Sequence, residues 1–113
     1  MHEYSIVSAL YDRIAAEAGQ RGATAVTAVR VRIGELSGVE VGLLRTAYDT
    51  FREGTLCAGA PLDVEAVPAL WACRACGASP ERGARLVCPD CGEPVRLVQG
   101  DEIVLERIEL EVP

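Results

Sequence analysis

From Glu3 to Ala18 the apolar residues fall at Ile6, Val7, Leu10, Tyr11, Ile14, Ala15 and Ala18. Steps of three and four place them on one stripe of an α-helix, and Gly19 and Gly22 bracket its end. From Ala25 to Ile33 the period changes. Val29, Val31 and Ile33 alternate with Arg30 and Arg32, as in a half-buried strand, and Gly34 ends it. Ser37-Gly38-Val39-Glu40 has the form of a capping box. It opens a second helix with apolar positions at Leu43, Leu44, Ala47, Tyr48 and Phe51, closed by Gly54. After a loop holding Cys57, Gly59 and Pro61, Leu62 to Ala66 alternates again and Pro68 stops it. Ile103 to Val112 reads as a last strand, with Val104, Ile108, Leu110 and Val112 on one face and Arg107, Glu109 and Glu111 on the other. Two amphipathic helices and three strands with one polar face predict an α+β fold, two helices packed on a three-stranded sheet.

Residues 70–99 interrupt this pattern with Cys, Gly and Pro and little periodicity. They read as a module inserted into a domain made of residues 1–69 and 100–113. A segment of about 30 residues buries too little apolar surface to fold alone, so a staple is expected. Cys73-Arg-Ala-Cys76-Gly and Cys88-Pro-Asp-Cys91-Gly supply it as two C-x-x-C knuckles, each followed by a glycine suited to a positive φ. Four soft thiolates in a tetrahedral cage select zinc and leave no open position for a substrate. The expectation is a structural zinc ribbon held by four cysteines. The alternatives are a rubredoxin-like iron site or two disulfides, the latter at odds with a cytoplasmic chain. Cys57 is the odd cysteine and reads as a buried small hydrophobe.

Composition narrows the classes. Aromatics are only 4% of the 113 residues, so the core must be aliphatic. No apolar run approaches the roughly 20 residues that cross a bilayer, and Met1-His2-Glu3 has no basic leader character. A cytoplasmic location, away from membrane, is expected. The net charge is −6, and every base is an arginine. Residues 70–99 hold four arginines against three acids, which leaves −7 on the rest of the chain. That weighs against a general grip on nucleic acid, which needs a basic face. A zinc-ribbon nucleic-acid-binding or regulatory module remains the alternative reading. Catalysis is not expected. The single histidine has no nucleophile placed beside it by any motif, and Gly34-Glu-Leu-Ser-Gly38 is too short for a phosphate loop and lacks lysine.

That histidine, His2, is adjacent to Met1. A free Met1 amine, the ionised His2 amide and the His2 imidazole close adjacent five- and six-membered chelate rings, filling three corners of a square plane. Strong nitrogen donors in that geometry suit Ni(II) or Cu(II). The fourth corner is left to a carboxylate, a water or a partner's donor, and Glu3 is next in sequence.

Met1-His2-Glu3-Tyr4-Ser5 at a helix start, Arg32-Ile33-Gly34-Glu35-Leu36-Ser37 before a second helix, Phe51 near that helix's end and the late paired knuckles together resemble the HypA/HybF hydrogenase maturation family over essentially the whole chain. The resemblance implies a nickel metallochaperone that delivers Ni(II) for assembly of [NiFe]-hydrogenase, with the GTPase HypB and the hydrogenase large subunit precursor as partners, and a homodimer left open. It implies His2 as nickel ligand with Glu3 beside it, and Cys73, Cys76, Cys88 and Cys91 on zinc. A carboxylate at the start of the second helix is also implicated. Glu40 stands there where relatives often carry Asp, and the cap reading competes for it. Some relatives place further histidines near the ribbon, and this chain has none.

Overall fold

A computed structural model describes residues 2–79, 87–88 and 90–113, without the side chain of His2. The elements follow in chain order as α1 (His2–Gln20), β1 (Ala25–Gly34), α2 (Val41–Phe51), β2 (Leu62–Val67), β3 (Leu70–Cys73), β4 (Val95–Gln99) and β5 (Ile103–Glu111). They form two sheets, β2-β1-β5 and the hairpin β3-β4. β1 and β2 are parallel, with α2 as the crossover that parallel strands require, and β5 returns antiparallel on the other side of β1.

The core lies between the helices and one face of the larger sheet. Val7, Leu10 and Ile14 of α1 and Leu44 and Tyr48 of α2 meet Val26, Val29, Val31 and Ile33 of β1 and Leu62 of β2. Cys57 is wholly buried in this core, as its residue type suggests. The buried Tyr48 hydroxyl donates to the Ala60 carbonyl at 2.6 Å. Phe51 sits between Tyr4 and Tyr11, with ring centroids 5.7 and 5.4 Å away.

Three sequence expectations need correction. The second helix begins three residues later than a capping box at Ser37 would place it, because Gly38 takes φ +81 and breaks helical geometry. Leu43 is 56% exposed, since the buried seam of α2 runs through Leu44 and Tyr48 and Leu43 lies about 100° round the helix from Leu44. In β5, the residues packed on the core are Ile103, Leu105, Ile108 and Leu110, and Val104 faces outward. The register shifts between Arg30↔Arg107 and Val31↔Leu105, so Glu106 is an extra residue. A bulge there inverts the alternation on its two sides.

The outward face of the sheet is charged. Arg30 donates to Asp63 at 2.7 Å, Glu65 at 2.9 Å and Glu106 at 2.8 Å, tying all three strands together. Arg32 lies 3.3 Å from Glu106.

The ribbon is rooted at the Gly34 end of the sheet. Gly34 N donates to Glu102 O, Glu35 N to Val67 O and Leu36 N to Gly100 O, while the Glu35 carboxylate accepts from Ala69 N at 2.8 Å. The backbones come so close that a Cβ on Gly34 would lie 2.3 Å from Gly100 C and O, and one on Gly100 would lie 2.6 Å from Ala69 Cα. The opposite end of the sheet holds the last turn of α1, through Ala23 N to Ala18 O and Thr24 N to Glu111 O. A 19-residue helix is about 28 Å long. α2 starts shortly after the Gly34 end of β1, and its last residue, Phe51, packs on Tyr4 in the first turn of α1.

Candidate metal centres

β3 ends on Cys73, and the chain there folds back so that Cys73 N donates to Ala78 O (2.8 Å) and Gly77 N to Cys73 O (3.0 Å). The second knuckle repeats this. Cys88 N donates to Glu93 O (2.8 Å) and Gly92 N to Cys88 O (2.9 Å). Gly77 and Gly92 adopt φ +75 and +74, the left-handed turn that an L side chain resists. Both knuckles aim their sulfurs at one focus, with all four Sγ atoms within 4.8 Å of one another. Sγ separations are 3.2 Å for Cys73–Cys91, 3.7 Å for Cys76–Cys88 and 4.0 Å for Cys76–Cys91. Tetrahedral zinc with Zn–S near 2.3 Å needs sulfurs about 3.8 Å apart. The donor set and its spacing fit structural zinc.

The electrostatics agree. The N–H of Cys76 and the Cys91 thiol hold Cys73 down at about 6, so it ionises readily. The Glu93 N–H favours the Cys91 thiolate, but Cys73, burial and the other two thiols outweigh it and push Cys91 up to about 12. Four thiols this close cannot all ionise side by side unless a cation offsets the charge. Cys73 and Cys88 are buried, whereas Cys76 and Cys91 reach the surface.

The residues of the nickel reading are placed unevenly. Met1 and the His2 side chain lie outside the described residues. Glu3 is half-buried in the first turn of α1, where its charge suits the helix dipole. Glu40 is the N-cap of α2. Its carboxylate accepts from Gly42 N at 3.2 Å and Leu43 N at 2.6 Å, two of the orphan N–H groups of a helix start. It therefore caps directly, rather than as the fourth residue of a box, and Ser37 Oγ instead accepts from Val39 N at 3.3 Å. Among the described residues, the four cysteines are the one group of His, Cys, Asp or Glu gathered closely enough to hold an ion. The clasp of Glu35 on Ala69 N and the Gly34–Gly100 approach escape sequence reading. Their only trace is a glycine at each of the two chain positions where the ribbon root meets the sheet.

Comparison with known proteins gives full-length matches. Residues 1–110 match the family described as "Hydrogenase/urease nickel incorporation, metallochaperone, hypA". The hydrogenase maturation factor HypA of Nitrosospira multiformis is 43% identical over 112 residues, covering 97% of each chain. The factor of the same name from Aquifex aeolicus is 40% identical, covering 99% of each. In structure the chain is similar to the Ni metallochaperone HypA from Helicobacter pylori, with a TM-score of 0.72 and 32% identity over 98% of both chains. A second HypA solution structure gives a TM-score of 0.78 at 32% identity, over all of this chain and 98% of the other.

Proposed function

We propose, on the premise that the chain belongs to the HypA family, a division of labour between its two metal centres. The protein is a nickel metallochaperone for hydrogenase maturation with a four-cysteine site suited to zinc. The family carries metal rather than catalysing a reaction, and the alternative of a nucleic-acid-binding ribbon gives way to it. In the proposed division, residues 1–69 and 100–113 carry the nickel and residues 70–99 form a zinc-stapled module.

Ni(II) is the cargo. The proposed chelate is the Met1 amine, the His2 amide and the His2 imidazole, with Glu3 as the adjacent carboxylate. Glu40 keeps its capping role and joins the ligand set only if its removal weakens nickel binding. Three nitrogens leave one corner of the square plane for a partner's donor, which suits a carrier that must hand its ion on. We assign that partner as the GTPase HypB, with the [NiFe]-hydrogenase large subunit precursor as the destination, and place the exchange in the cytoplasm. No helix among the described residues is long and apolar enough to cross a membrane, which is consistent with that placement.

The observation that carries the reading is the family match from residue 1 to 110, which spans both the amino-terminal motif and the knuckles. The test is metal analysis of untagged protein with and without added Ni(II). One zinc that resists exchange, and one nickel lost in His2→Ala with zinc unchanged, is the expected result. Nickel retained in His2→Ala would overturn the chelate.

A further inference from the structure

β5 is an edge strand of the larger sheet, paired with β1 on one side. The bonds at its two ends, Thr24 N to Glu111 O and Gly34 N to Glu102 O, also run toward β1. Among the described residues no strand pairs with its other side. Thr27 Oγ1 donates to Glu109 O at 3.2 Å, so that carbonyl faces β1, and by alternation the N–H and C=O of Ile108 face outward. The core is least covered here. Val29, Val31 and Ile33 of β1 are buried, whereas Leu105, Ile108 and Leu110 of β5, packed on the same core, are only half-buried. A trench of about 810 Å³ lies between them and the exposed Arg13 and Glu17 of α1.

The charges of β5 select what can add to this edge. Arg107 and Glu109 are exposed on the solvent face, 2.9 Å apart, and Ile108 between them turns to the core face. Residues opposite each other in an antiparallel pair share a face, and like charges placed opposite are unfavourable. A second β5 laid antiparallel about a two-fold axis at Ile108 sets each Arg107 opposite a Glu109. Moving the axis to Arg107 sets Arg against Arg, and moving it to Glu109 or Leu110 sets Glu against Glu. We infer that the outer edge of β5 is a self-association surface, on which a second copy of the chain adds its own β5 about a two-fold axis at Ile108. The two Ile108 residues exchange both of their outward hydrogen bonds, and the two sheets become one of six strands with all four helices on one face. Leu105, Ile108 and Leu110 of each copy then cover those of the other across the seam. The bulge at Glu106 bounds the regular pairing, which makes the association reversible and concentration-dependent. The surface lies on the body, not the ribbon, and does not depend on which residues hold nickel.

The test takes the zinc-loaded full chain through a concentration series by sedimentation equilibrium, with amide hydrogen exchange followed by NMR. Expected are a monomer–dimer equilibrium and an Ile108 amide that exchanges more slowly as concentration rises. Arg107→Glu and Glu109→Arg alter exposed side chains, so both variants should fold with zinc content unchanged. Each sets like charges opposite each other at two places and should weaken the dimer about tenfold, although the two shift the net charge in opposite directions. Arg107→Glu combined with Glu109→Arg restores unlike pairs and should recover most of the native affinity. A chain that stays monomeric up to about 1 mM would overturn the proposal. So would a dimer that both single substitutions leave unaltered, a double variant no tighter than the singles, or slowed exchange confined to β2 or the ribbon.

Discussion

Glu40 has two claims on its carboxylate, and the distances decide which is visible. At 2.6 Å from Leu43 N and 3.2 Å from Gly42 N, both oxygens are engaged by α2. A Cβ on Gly42 would meet those oxygens at 3.2 and 3.4 Å, so the absence of a side chain there leaves the cap its room. Gln at position 40 keeps one acceptor oxygen and loses the charge. We therefore expect Glu40→Gln to cost about 0.5–2 kcal/mol in thermal unfolding, the usual worth of an N-cap, with nickel affinity by calorimetry unchanged. A tenfold loss of nickel affinity would instead place Glu40 among the ligands. At this scale the sequence is most legible where chemistry is dense. Four cysteines at C-x-x-C spacing converge as read, and the lone Cys57 is buried as read. Legibility fails where one side chain does a local job, because nothing in the spacing of Ser37 and Glu40 says which residue the helix begins after.

Among the elements, β5 shows how alternation misleads. Ile103-Val-Leu-Glu-Arg-Ile-Glu-Leu places two charged residues in a row at Glu106-Arg107, and that doubled polar step is the sequence trace of the bulge. The bulge also brings Glu106 to Arg30. Beside that guanidinium, Glu65 is held below its ordinary value of 4.5. A depressed carboxyl contributes stability above its ordinary value and loses it as pH falls through the lowered one. The difference in melting temperature between the native chain and Glu65→Gln should therefore be largest above pH 4.5 and close below it. Zinc loss in acid affects both proteins and cancels from that difference. The two sheets should also separate under mutation. Cys73→Ala should lose zinc and the β3–β4 amide pattern while β2-β1-β5 and both helices persist, as metal analysis and NMR would show. Gly34→Ala drives a methyl group into Gly100 and should cost about 1–3 kcal/mol or more, loosening the ribbon root first. The helices and the three long strands were legible because each buries a face at its own period. The short ribbon strands were not, because the knuckles rather than a hydrophobic stripe hold them.

At the scale of the whole molecule, the ribbon is carried at one end of the larger sheet. Its root meets the sheet at Gly34, and residues 1–69 and 100–113 together carry −7. A residue added before Met1 should abolish tight Ni(II) binding without changing zinc, because it removes the proposed amine donor. Nickel affinity should also fall as pH drops through about 6.5, the ordinary imidazole value, since the donors must be deprotonated. A flat calorimetric affinity across that value would rule the chelate out. Association with the proposed partner HypB should slow as salt rises, while the coordinate bonds to nickel should be nearly indifferent to it. The carriage of the ribbon beyond the sheet has one more effect. The chain measures 57 × 27 × 16 Å, with a radius of gyration of 18.0 Å. A compact globule of that radius would contain about 250 residues, more than twice this chain's length. On a sizing column the monomer should therefore migrate with an apparent mass near that of a compact dimer, and stoichiometry has to be taken from sedimentation equilibrium or light scattering, which weigh the particle whatever its outline.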